Sequence, residues 1–216
     1  MHNSSGLQVS GSYRNIIQIA LPISVAILIP QLNSLTNTVF LGYYQPAGVS
    51  FTTSDLLAAS GVAGIYYLTM AMVDYGLVSG ILMMMSRKAG ENDRQGVGHL
   101  FTNGVLICLA LSMLLVLLSF WLAPILFRWA IHEAPVQAAA IDFIRIRIWG
   151  LPFLVVCQLS NSFFLAISRS RLIIVGSGIQ TLVNILFDYL LIFGIGFFPE
   201  MGLDGTALAS VISEFV

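Results

Sequence analysis

The chain has 216 residues, 57% of them hydrophobic and only 9% charged, where a soluble domain carries roughly 25% charge. Its mean hydropathy of +0.91 and formal net charge of -1 exclude a soluble globular enzyme and a basic nucleic-acid-binding surface. The class that remains is an all-α integral membrane protein, expected to be multi-pass in the inner cell membrane.

Residues 1–14 are polar and lack an early apolar core followed by a small-residue cleavage site, so a cytoplasmic tail is expected rather than a removed leader. The Asn-x-Ser match at Asn3 then falls on the cytoplasmic side. Apolar runs at 15–42, 56–86, 97–123, 136–168 and 171–197 each exceed the roughly 20 residues that cross the hydrocarbon core. A sixth starts at 203 and is incomplete, giving a six-transmembrane-helix bundle over 15–216 whose sixth helix is truncated. Arg14, Arg87, Lys88, Arg94, Arg169 and Arg171 fall on one side if the spans alternate, which sets the amino terminus in the cytoplasm. Arg128, Arg145 and Arg147 run against this; the last two are read as snorkelling at the outer interface.

Pro22, Pro30 and Pro152 lie within spans, where proline opens the helical hydrogen-bond ladder and bends the helix. Gly76 and Gly80 form a small-xxx-small match, read as a close helix-packing seam. Cys108 and Cys157 lie in apolar runs and are read as small core residues. His2, His99 and His132 show no metal-ligand spacing, and no nucleophile is paired with a base, so no catalytic set and no cofactor are expected.

Ionisable groups in membrane spans are costly and mark cavities, partners or ion paths. Asp188 is the sharpest case: Asn184 and Gln180 precede it by four and eight residues, giving a polar stripe on one helix face. By helical rise it lies about 12 Å from Gly196, and Asn37 lies about 8 Å from Gly42, so the stripe and the Asn33, Thr36, Asn37 cluster of the first span share a depth. Thr206 enters near the same depth. Asn37, Asn184, Asp188 and Thr206 offer one carboxylate and several neutral oxygens, a set suited to sodium or to a proton. The alternative is an interhelical hydrogen-bond lock. Asp74 is a second acid, about 20 Å from Arg87 and about 28 Å from Asp55; with Asn33 and Gln180 it is a candidate for the cavity or for coupling.

Taken in order, "IALPI" and "TNTVFLG", "SRKAGEND", "FIRIRIWGLPF" and "NILFDYLLIFGIGFFPEMGLDGTALAS" resemble the amino-terminal half of the multidrug and toxic compound extrusion (MATE) family. The likeness covers the chain after about residue 13. It implies the first of two six-helix lobes of a twelve-helix fold, exporting organic cations and other drugs by antiport with sodium or protons. It also implies a second six-helix lobe, in the same or a partner chain, as partner, with the bilayer and a cationic amphiphilic small molecule as the others. The family's coupling acid on the first helix, in "D-T-V", is replaced here by Asn37 in "N-T-V", while Asn184, Asp188 and Thr206 match. Competing readings are a lipid-linked oligosaccharide flippase of the same superfamily, expected to line its cavity with cations, and a non-transporting half-lobe that serves assembly. An intramembrane enzyme ranks last.

Overall fold

The structure is a computed structural model that describes residues 13, 17, 21, 24, 28, 33, 35–44, 52–169 and 171–216. Pro22, Pro30 and Arg14 lie outside the described residues. The first helix, α1, is described at those positions from 13 to 43; α2 is Thr53–Gly90, α3 Arg94–Ala130, α4 Ala134–Arg147, α5 Leu151–Ala166, α6 Arg171–Phe193 and α7 Leu203–Phe215. Among the described residues α2, α3 and α6 are each long and apolar enough to cross a membrane.

Helix ends are set by local chemistry. Thr52 and Asp55 form a capping box at α2, with Thr52 N–H donating to Asp55 Oδ2 at 2.9 Å. Asp93 caps α3 by accepting from Gly96 N–H at 2.8 Å, while Lys88 holds Glu91 at 3.0 Å and Asp93 at 3.2 Å across the turn. That backbone bond, then Lys88, holds the Asp93 carboxyl below its ordinary range. Its contribution to the turn is therefore present above the ordinary carboxylate range and lost as pH falls through the folded value.

The run expected to be one bent span is interrupted at a definite place. A 3-10 turn at Ile148–Gly150 separates α4 from α5, which puts Pro152 in the first turn of α5, where its missing N–H costs nothing. The sequence reading missed Pro124, which lies inside α3. α6 closes at Phe193, and Met201 N–H donates to Leu191 O at 2.9 Å to satisfy its last turn. Gly202, at φ 53, then starts α7 with the Tyr44 ring packed where a side chain would be. Tyr44 also donates its hydroxyl to Glu200 at 2.9 Å, tying the end of α1 to this loop.

α2 packs against α3, α4 and α5, and α7 lies along α6 and α4. One apolar cluster, with Ala59, Val116, Phe143, Ile148 and Ala207, binds α2, α3, α4 and α7; a second, with Val78, Met85, Cys108 and Leu159, binds α2, α3 and α5. Leu106, Leu114, Leu182, Trp121 and Trp129 project outward, as side chains that face lipid do.

The close helix approach is not at Gly76 and Gly80: among the described residues, nothing beyond the local helix backbone lies within 4 Å of a Cβ built there. It is at Gly205, where a Cβ would meet the Leu191 carbonyl carbon and oxygen at 2.9 Å. Those atoms are backbone, so α6 and α7 would have to separate. Gly205→Ala is expected to cost about 1–3 kcal/mol, seen as a lowered Tm in detergent, with Gly76→Ala near neutral as its control.

Candidate functional site

Three helices bring polar side chains together in an apolar surround. α6 supplies Asn184 and Asp188, both wholly buried; α1 supplies Asn33 and Asn37; α7 supplies Ser210 and Ser213. The neighbours decide how the amides point. Asn37 donates to Asp188 Oδ2 at 2.5 Å and to the Asn33 carbonyl at 3.1 Å. Asn184 donates to the same Asp188 oxygen at 2.6 Å and to Asn33 Oδ1, and accepts from Ser210 N–H and Ser213 Oγ, each at 3.2 Å. Asp188 Oδ1 is buried and has no hydrogen-bond partner among the described residues.

This arrangement has two consequences. An Asn amide offers N–H on one side and a carbonyl oxygen on the other, so the same contacts serve an ionised Asp188 through N–H and a protonated or cation-bound one through oxygen. The lone pairs of Asp188 Oδ1, unpartnered among the described residues, are of the kind that accept a proton or a hard cation. Thr206, 2% exposed, bonds back to the Leu203 carbonyl at 2.7 Å and keeps its lone pairs available near the cluster.

A cavity of about 850 Å³ opens beside the cluster, lined by Asn33, Asn37, Gln180, Thr206, Ser210 and Ser213 among others. The polar stripe read on α6 thus divides: Gln180 faces the cavity, while Asn184 and Asp188 lie behind its wall. Asp74 is not brought to this group. It is 3% exposed on α2, within electrostatic reach of Cys108, and both its oxygens lack partners among the described residues.

Arg147 overturns its interfacial reading. Only 14% of its side chain is exposed, and it donates to Glu214 of α7 through both terminal nitrogens, at 2.7 and 2.5 Å. Its guanidinium lies 3.7 Å from the Tyr67 ring centroid, and Tyr67 donates its hydroxyl to Glu214 at 3.1 Å. Gly150 makes the room, since a side chain there would strike the Glu214 carboxylate. Arg145, by contrast, stays exposed beside Asp142 at 3.4 Å. Sequence reasoning missed Glu214, Ser210 and Ser213; the signal was their turn-by-turn spacing from Thr206 along α7.

A bundle of apolar helices with a buried carboxylate beside a polar cavity is the architecture of a polytopic membrane protein. Residues 22–190 match the MatE family, and the chain belongs to it. It is 26% identical over 203 residues to a "Probable multidrug resistance protein NorM" of Synechocystis, covering 94% of this chain and 42% of that protein. Over 198 residues it is 26% identical to the "Multidrug resistance protein NorM" of Burkholderia vietnamiensis, covering 91% and 41%. The chain thus spans less than half the length of these curated relatives. Among solved structures, an outward-facing multidrug resistance MATE family transporter of the MOP superfamily superposes with a TM-score of 0.83 at 19% identity, covering 99% of this chain and 45% of that one. A MATE in the bent conformation gives 0.79 at 19% identity over 92% and 42%. These likenesses carry the fold.

Proposed function

We propose that residues 15–216 form the amino-terminal six-helix lobe of a secondary active efflux transporter. It exports organic cations and related drugs in exchange for sodium or protons, by alternating access between two lobes. Asp188 is the coupling acid, with Asn184, Asn37 and Thr206 as its neutral ligands, and the amino terminus is cytoplasmic. The observation that carries this reading is the buried Asp188 carboxylate, held by two reversible amides and with one oxygen unpartnered among the described residues, directly behind a cavity wall. Placing a proton or sodium there changes which face each amide presents, so its occupancy biases the packing of α1 against α6 if the two states differ in affinity. The family membership and the naming of the relatives as multidrug resistance proteins support the same reading. The flippase alternative gains nothing from the cavity: Arg147 is the one cation among its described lining residues, and Glu214 neutralises it.

The test is accumulation of a fluorescent organic cation in pump-deficient cells that express the complete polypeptide. Lower accumulation than in cells without it supports efflux; equal accumulation at verified membrane expression rejects drug export.

Asn37→Asp gives a second check. It would set two carboxylates in contact, which need a proton or cation between them. Sodium affinity is expected to rise by about tenfold or more, measured by isotopic sodium binding to purified protein. Unchanged affinity would remove Asn37 from the ligand set.

A further inference from the structure

The charge of the cavity wall does not come from Asp188 or Asp74, neither of which lines it. Among the described lining residues the charged ones are Arg147 and Glu214. They come from different helices, α4 and α7, and meet in two parallel N–H to oxygen bonds at 2.7 and 2.5 Å, a geometry that fixes both groups. Tyr67 closes the pair from α2, its ring face 3.7 Å from the guanidinium and its hydroxyl on the carboxylate. Glu214 also follows Ser213, which contacts Asn184, so the pair sits at the junction between the Asp188 cluster and the cavity.

We infer that the Arg147–Glu214 pair sets the charge selectivity of the substrate cavity, making Arg147 and Glu214 specificity-determining residues. This rests on the transport reading above. As a pair they leave this wall electrically neutral, so a ligand is met by hydroxyls, amides and aromatic faces rather than by a fixed charge. Either partner alone would project a full charge into a space with low-dielectric walls, where such a field is felt strongly. Removing the cation exposes a carboxylate to the cavity and favours multiply charged cations. Removing the anion exposes a guanidinium and favours anions.

The experiment uses the complete polypeptide and three fluorescent dyes of similar size: a dication, a monocation and an anion. Arg147→Gln is expected to raise the dication-to-monocation ratio of transport by about tenfold, and Glu214→Gln to raise the anion-to-monocation ratio by a similar factor. The double variant with both glutamines, neutral again, and Arg147→Lys, which keeps the charge, are expected to return the wild-type ranking. Equal loss of all three dyes in both single variants at matched amounts of folded protein in the membrane, or a double variant that stays shifted, would overturn the inference. Polarisation binding of the same dyes to purified protein separates the two readings. Charge-ordered binding without transport rejects only the transport reading, whereas binding that ignores the substitutions rejects only the role of the pair.

Discussion

Replacing Glu214 with alanine is expected to be among the most destabilising single changes in this chain. The substitution leaves the Arg147 guanidinium, 14% exposed, without its counter-ion and removes the acceptor of the Tyr67 hydroxyl. Breaking a buried pair by deleting one member costs about 3–5 kcal/mol, and the cavity on one side, which admits water, favours the lower end. The loss falls at the joint between α4 and α5, where Gly150 and the 3-10 turn hold α7 in place. A fall in Tm in detergent, largely reversed by adding Arg147→Leu, is the expected outcome. A Glu214→Ala protein as stable as wild type would mean that the pair contributes nothing to docking α7.

Asp188→Asn is expected to have the opposite profile, a folded protein without coupling. The new amide is nearly isosteric with the carboxylate and can still exchange hydrogen bonds with Asn37 and Asn184, whose amides reorient to suit it. It can hold neither a dissociable proton nor the negative charge that a sodium ion needs. Membrane expression and Tm should therefore stay close to wild type while gradient-driven export falls to background. If Asp188 were only an interhelical lock, the variant would instead lose folded protein in step with activity.

The apolar helices α2, α3 and α6 and the polar positions Asn184 and Asp188 were legible because each is written within one helix. Apolar length and the four-residue spacing of Asn184 and Asp188 both act over short distances along the chain. The Arg147–Glu214 pair was hidden for the opposite reason: its members are 67 residues apart, and an arginine near a helix end reads equally well as interfacial. Gly76 and Gly80 fit a packing pattern but are exposed in this lobe, whereas Gly205, whose own small-xxx-small match with Ala209 the sequence reading did not single out, is where α7 touches the backbone of α6. The break before Pro152 was foreseen as a bend; what the sequence lacked was the Glu214 carboxylate against which that break is packed. Asp74, read as a candidate for the cavity or for coupling, is buried on α2 and is not among the residues that line the cavity.

The coupling role of Asp188 is tested most directly with purified complete polypeptide in proteoliposomes loaded with a fluorescent organic cation. Sodium and proton gradients would be imposed separately, for wild type and for Asp188→Asn at matched protein content and matched Tm. The account predicts that one of the two gradients accelerates dye movement by wild type and that neither does so for the variant. An Asp188→Asn protein that answers the gradient as wild type does would contradict it.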